Sequence, residues 1–333
     1  MKVLLTGATG FLGFRTLEKL VVDDKISSII ASGRTLKTSH KVVHPKVNYV
    51  LGDLTDADFA LRLVHDCEVI IHAAALSSPW GKKEDFVKAN VDSQYNLIEA
   101  AKANGVKRYI YISTPSIYVT GADRLNITEK DELPTTFVNE YSRTKFEAEK
   151  LLSKSGIPHI ILRPRALTGR GDTVIMPRLI KAHKAGRLKI IGDGRTRSDL
   201  TSVSNVADAI QLSIHVGEEA LNEAFNITNG EPIVLWDSIT DVLKKLDLNP
   251  PEKKLNYKFV LFIASLMELH AKITTKEEPT LTKYGVGTLA KSMTFDISKA
   301  KELLKYQPKL NTNEAIQEFV DWYRLNEKST TIS

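Results

Sequence analysis

The sequence predicts an α/β fold, a doubly wound parallel sheet with helices on both faces, followed by a smaller, mainly helical C-terminal substrate lobe. Three observations predict it. Short β-branched apolar runs alternate with longer amphipathic segments up to Arg163, a glycine-rich turn joins the first run to its helix, and the alternation loosens afterwards. At 333 residues the chain exceeds the usual size of one domain, so we divide it into residues 1–165 and 166–333.

Val3–Thr6 reads as the first strand and Phe11–Val22 as the helix after it. Ile29–Ser32 and Val47–Leu51 are the next strands, with a helix from about Asp56 to His65, and Val69–His72 is the fourth. Ala89–Asn104 is a helix with Val91, Tyr95, Ile98 and Ala101 on one face. Tyr109–Ser113 is a strand, Tyr141–Ser155 a helix and Ile160–Arg163 a strand. Runs so uniformly apolar suit parallel strands covered on both faces. Beyond them, turns at 168–172 and 191–194 and the break at Pro250-Pro251 mark the second lobe, from which one or two segments return to the main sheet. Within it, Tyr257–Ile273 has helical apolar spacing. It is either a core helix or a lid over an apolar substrate, in peripheral contact with a membrane surface.

Composition narrows the class. A hydrophobic fraction of 42% and a charged fraction of 26% are ordinary for a globular protein. The net charge of +6 is spread along the chain, without a basic run interleaved with aromatics, which argues against nucleic acid. Cys67 stands alone, so neither an internal disulfide nor a cysteine zinc cluster can form. A strand pattern directly after Met1-Lys2 leaves no room for a signal peptide, and the apolar run Phe259–Met267 is about half the ~20 residues of a membrane span, so we expect a cytoplasmic protein. His40 and His44 read as solvated surface, and no metal site is expected.

The chemistry begins at Thr6-Gly7-Ala8-Thr9-Gly10-Phe11-Leu12-Gly13. Glycines between a strand and a helix let backbone N–H groups of this turn, with the helix N-terminus, cradle a dinucleotide pyrophosphate. This makes the sheet a Rossmann-type one. A tight turn with close packing and no ligand would use the same glycines. An acidic residue at the end of the second strand would select NAD(H), yet that stretch reads Ala31-Ser32-Gly33-Arg34-Thr35. Arg34 offers a fork for a 2′-phosphate, or is a plain surface arginine; we expect NADP(H), with NAD(H) the alternative. Asp53 and Leu54 end the third strand, where a carboxylate can accept from adenine, and Ala73, Ala74 and Ala75 leave room beside ribose and nicotinamide.

Tyr141 and Lys145 are four apart on one helix face. An adjacent ammonium favours the phenolate of a tyrosine that otherwise titrates near ~10, and the lysine can hold ribose hydroxyls. Such spacing also arises by chance; its position after a strand ending in Ser113-Thr114 gives it weight. Thr114 is the expected third catalytic residue, orienting the substrate oxygen, with Ser113 and Ser116 as fallbacks.

Taken together these residues resemble the extended short-chain dehydrogenase/reductase, or NAD-dependent epimerase/dehydratase, family. The resemblance continues through Arg163-Pro164-Arg165-Ala166, Gly192-Asp193-Gly194 and Val203-Ser204-Asn205-Val206-Ala207-Asp208-Ala209. It implies hydride transfer at a nicotinamide, Tyr141 as general acid/base, Pro164 and Ala166 beside the nicotinamide, and a homodimer built on two long helices of the main domain. Met176-Pro177-Arg178-Leu179, 278–286 and Phe295-Asp296-Ile297-Ser298-Lys299-Ala300 are similar to the 3β-hydroxysteroid dehydrogenase-like branch. That implies a hydrophobic small-molecule substrate, steroid-like or a long-chain 3-keto/3-hydroxy compound. Where the family's sugar dehydratases carry Thr-Asp-Glu this chain has Thr114-Pro115-Ser116, lacking the acid and base for water elimination. Many epimerases carry Arg-Asp-Phe at its Ser198-Asp199-Leu200. A nucleotide-sugar epimerase or reductase is the alternative.

Overall fold

The computed structural model describes residues 1–274 and 277–331. Its core is a seven-stranded sheet in which every neighbouring pair is parallel. Five strands come from the first half: β1 (Lys2–Thr6), β2 (Ser28–Gly33), β3 (Val47–Leu51), β4 (Val69–His72) and β5 (Arg108–Ile112). The order across the sheet is Glu223–Ile227, His159–Pro164, β5, β4, β1, β2, β3.

The strands are apolar on both sides because both faces are covered. Val3 and Leu5 point into a cluster with Leu17 and Leu20 of helix α1 (Phe11–Leu20) and Val206 and Ile210 of the Val203–His215 helix. Leu4, between them in sequence, points the other way, into a cluster with Leu63, Leu97 and Leu152 from the helices on the opposite face. The Val203–His215 helix and the Glu223–Ile227 strand both lie beyond Arg163 in sequence and complete the main sheet layer.

The small lobe packs the Leu235–Lys245, Tyr257–Ile273 and Lys283–Ala290 helices around Trp236, Ile239, Leu243, Val260, Ala264 and Val286. A four-stranded sheet joins it to the main domain: Met293–Phe295 pairs with Arg124–Ile127 on one side and Arg197–Ser198 on the other. The Tyr257–Ile273 helix is divided. Val260, Ala264, Glu268 and Ala271 are buried, whereas Phe259, Phe262, Leu266, Leu269 and Ile273 are 48–72% exposed. Among the described residues no helix is long and apolar enough to cross a membrane.

Two expectations are corrected. Tyr95 does not share the buried face of its helix; it is exposed, while Gln94, Leu97, Ile98 and Ala101 are buried. A π-helical turn at Val87–Asp92 precedes the Ser93–Ala103 helix, whose buried stripe runs through Gln94, Leu97, Ile98 and Ala101 and leaves Tyr95 outside it. His40 is not solvated surface. Only 5% exposed, it stacks on Phe14 with ring centroids 4.6 Å apart, and its Nδ1 lies 3.0 Å from the Thr9 carbonyl, so it props the glycine turn.

Candidate active site

The glycine turn is shaped by close backbone approach. Gly7 has φ +69°, and a Cβ on it would lie 2.6 Å from the Ala74 nitrogen. A Cβ on Gly13 would lie 2.0 Å from the Gly7 carbonyl oxygen, so α1 can start here only with glycine at that position. Gly10 is the N-cap of α1; no side chain caps the helix and no acidic residue stands in its first turn. The N–H groups of Phe11, Leu12 and Gly13 therefore point, with the positive end of the helix dipole, at the space beyond the turn. A pyrophosphate fits such a cradle by charge and by room. Thr9 turns its side chain toward β2, where a Cβ on Gly33 would meet the Thr9 hydroxyl at 2.3 Å.

Arg34 follows directly after β2 and is exposed. Its charge reaches Asp53, whose carboxylate is held below the usual range chiefly by the Thr55 N–H, which it accepts at 2.9 Å, with Lys88 and Arg34 adding to the effect. Asp56, not Asp53, caps the next helix. Leu54 is half-buried and its carbonyl accepts from the Asn96 amide at 3.1 Å. Ala73, Ala74 and Ala75, past the end of β4, are partly exposed, open to whatever the turn holds.

The Glu140–Ser153 helix begins at Asn139, whose side chain caps it through Ser142 N–H at 2.9 Å, and this puts Tyr141 in the first turn. Burial pushes the Tyr141 phenol up to about 12, opposed by the neighbouring Thr114 hydroxyl and reinforced by nearby Tyr284, so it is protonated at neutral pH. Lys145 is 1% exposed, donates to the Ile112 carbonyl at 2.6 Å and sits 4.0 Å from the Tyr111 ring centroid. Burial pulls its ammonium down to about 7, and Glu149 one turn on works against this. Ser113 is buried with an unpartnered hydroxyl, and Ser116 donates its N–H to Thr114 Oγ1 at 3.2 Å. Pro164 ends its strand; two residues later Ala166 has φ +40°, a left-handed conformation that costs an alanine roughly 1 kcal/mol, and its carbonyl is held by Thr201 N–H at 2.9 Å.

Several members of the site lie outside the residues expected from the sequence. Glu149 is buried and forked onto Arg163, at 3.0 Å and 2.5 Å, and Arg163 also donates to the Tyr118 hydroxyl. Asn90, on the π-helical turn, grips Leu76 through both backbone groups and donates to Thr144 Oγ1 at 3.0 Å, fixing the loop after Ala75 against the Glu140–Ser153 helix. His72 is buried below Lys145, pulled down to about 3 by burial, and bonded to Thr6 Oγ1 at 2.7 Å. Tyr284, from the small lobe, lies 3.0 Å from Ser116 Oγ. The period of the Tyr141–Lys145 pair, extended one turn, would have found Glu149; nothing local marks Tyr284. Asp199 serves as a joint, its Oδ2 accepting from Phe295 N–H at 2.9 Å.

Residues 3–228 match the NAD dependent epimerase/dehydratase family. The 3beta-hydroxysteroid-dehydrogenase/decarboxylase isoform 2 of Arabidopsis thaliana is 35% identical over 292 residues, 83% of this chain but only 52% of that longer protein. The 2-alkyl-3-oxoalkanoate reductase of Stenotrophomonas maltophilia is 28% identical over 95% of this chain and 98% of its own length. The solved structure of UDP-glucuronic acid 4-epimerase from Bacillus cereus in complex with NAD shares the fold, with a TM-score of 0.76 at 23% identity over 98% of this chain and 99% of that one. The match spans the glycine cradle, Thr114, Tyr141 and Lys145, and on that basis the chain belongs to the NAD dependent epimerase/dehydratase family.

Proposed function

We propose that the chain is an NAD(P)-dependent oxidoreductase that interconverts a ketone and a secondary alcohol on a hydrophobic substrate, steroid-like or long-chain. The observation that carries this is the Thr114 hydroxyl beside the Tyr141 phenol, one helical turn from a buried Lys145. The nicotinamide cofactor, when bound, supplies or accepts the hydride. The chain's own residues handle the oxygen and its proton. Thr114 orients the substrate oxygen, and Tyr141, protonated at neutral pH, donates its phenolic proton to that oxygen in reduction and takes one back in oxidation. Lys145 holds the ribose hydroxyls and, as ammonium, eases phenolate formation. The absence of the dehydratase acid and base at Pro115 and Ser116 supports redox without elimination.

Two relatives agree with the substrate class: one name joins a dehydrogenase with a decarboxylase on a hydroxysteroid, the other gives a 3-oxoalkanoate reductase. Arg34, exposed at the end of β2 with no acid beside it before Asp53, supports NADP(H) over NAD(H). The test is a screen of hydroxysteroids, long-chain 3-hydroxy acids and nucleotide sugars, following NADPH and NADH absorbance side by side. Turnover of an apolar alcohol or ketone is expected. Epimerisation of a UDP-sugar without net cofactor turnover sinks the reading.

A further inference from the structure

Behind the Tyr141–Lys145 pair, one more turn along the same helix face, lies a carboxylate that takes no part in the redox step. Glu149 is buried, and its two oxygens accept from Arg163 Nε at 3.0 Å and from Arg163 Nη2 at 2.5 Å. Arg163 Nη1 donates to the Tyr118 hydroxyl at 2.5 Å, and the guanidinium lies over the Tyr118 ring, 5.4 Å from its centroid. Arg163 and Tyr118 are buried too, so all these contacts are made in a low-dielectric interior.

Each of the three residues belongs to an element that carries part of the site. Glu149 shares the Glu140–Ser153 helix with Tyr141 and Lys145, and Arg163 precedes Pro164 at the end of its strand. Tyr118 closes the 3₁₀ turn Pro115–Tyr118, whose N-cap is Thr114. Tyr141, Lys145 and Glu149 lie on one helix face, so the fork fixes the rotation of that helix against the sheet. A side-chain tip stands about 5–6 Å from a helix axis, and a rotation of about 10° moves it by about 1 Å. A misplacement of about 1 Å can cost about 100-fold in rate. The Glu149 carboxylate also supports the Lys145 ammonium against the effect of burial. Stability alone does not call for an ion pair here. Replacing a buried pair by apolar residues of similar volume is often neutral or stabilising, whereas a directional fork selects one arrangement of its elements.

We propose that Glu149 and Arg163, with Tyr118 as their third arm, are positioning residues that set Tyr141 and Lys145 against Thr114 in the geometry proton transfer requires. This rests on the ketone/alcohol reading above and adds to it a buried device that acts through the catalytic residues.

The experiment compares wild type, the double variant Glu149→Leu with Arg163→Met, and Tyr118→Phe. Oxidation of a long-chain 3-hydroxy acid and of a 3β-hydroxysteroid is followed with NADP⁺ and with NAD⁺, and Tm and cofactor affinity are recorded for each protein. The double variant is expected to melt at or above the wild-type temperature and to bind cofactor within about threefold, yet to lose about 10–100-fold in kcat with KM nearly unchanged. Tyr118→Phe keeps the ring and the fork, and is expected to lose about two- to tenfold in kcat with a Tm within a few degrees of wild type. A folded double variant with wild-type kcat overturns the proposal. If the double variant does not fold, Tyr118→Phe decides: a lower kcat at unchanged KM supports positioning, and wild-type kcat overturns it. Wild type that binds cofactor but oxidises neither compound overturns the ketone/alcohol reading itself, and the positioning role with it.

Discussion

The cofactor end of this site is made of backbone and the substrate end of side chains. At the first, Gly7 crowds against Ala73 and Ala74 and Gly13 against Gly7, so near that a single added carbon on either would collide. At the second, Ser116 and Tyr284 meet across 168 residues of sequence, one from a 3₁₀ turn after β5 and the other from a helix of the small lobe. A backbone cradle presents the same N–H groups whatever its side chains, and binds a ligand part common to every reaction of the fold. A side-chain site changes with each substitution. Under the proposed function, specificity belongs to the contact between lobes, and cofactor affinity to the turn.

The largest expected effect falls where the two ends meet. Tyr141→Phe removes the proton donor and keeps the ring, so kcat should fall by about 10²–10⁴-fold while cofactor affinity stays within a factor of about two. Stopped-flow absorbance and cofactor fluorescence measure the two separately. Turnover that survives the change would mean that another group moves the proton, with the Thr114, Ser116 and Tyr284 hydroxyls as the candidates. Gly13→Ala tests the backbone end. Its methyl would stand 2.0 Å from the Gly7 oxygen, so the turn must open. Affinity for either cofactor should drop by about tenfold or more, with a loss of about 1–3 kcal/mol in stability. Normal binding by a folded Gly13→Ala protein would remove the cradle from the argument.

This contrast also explains what the amino-acid order reveals. The cradle, β1 to β5 and the Tyr141–Lys145 pair were readable because each depends on neighbours within a few turns. Glycine spacing, apolar runs and a four-residue interval are local signals. Tyr284 carries no local signal of its own, because its meaning comes from Ser116, which no local pattern brings near it. His40 was misjudged for the same reason: in a polar loop beside Pro45 it looks solvated, yet the ring of Phe14 on α1 buries it. Tyr95 falls outside the buried stripe of its helix because the helices packed against it, and not the spacing alone, decide which face is covered. Glu149 and Arg163 each read as ordinary members of their elements until packing fixed them together.

Arg34 sharpens the cofactor end from outside the backbone. It is a side chain in an otherwise main-chain site, and it is exposed, so solvent weakens its effect. Arg34→Ala should raise KM for NADPH by up to about tenfold and leave that for NADH nearly unchanged. Equal changes for both would assign Arg34 to the surface and leave the 2′-phosphate without a partner.

The smallest expected effect concerns stability and isolates the burden that function places on the fold. Lys145 is buried, and burial pulls its ammonium from an ordinary value of 10.5 down to about 7. Between those values the unfolded chain holds a proton that the folded chain has released, so this group makes the cofactor-free fold gain stability as pH rises from about 7 towards 10.5. Below about 7 both states are protonated and the full cost of burying the charge is felt; above 10.5 both are neutral and it disappears. Lys145→Met removes this cost but also the 2.6 Å bond to the Ile112 carbonyl, a loss that does not vary with pH. The variant should thus melt a few degrees above wild type near pH 7. That advantage should shrink steadily towards pH 10 and there vanish or reverse. Melting curves from pH 6 to 10 for both proteins measure the difference. A gap that stays constant with pH would mean that Lys145 is not a charged group under strain, and would separate its catalytic placing from any electrostatic burden on the fold.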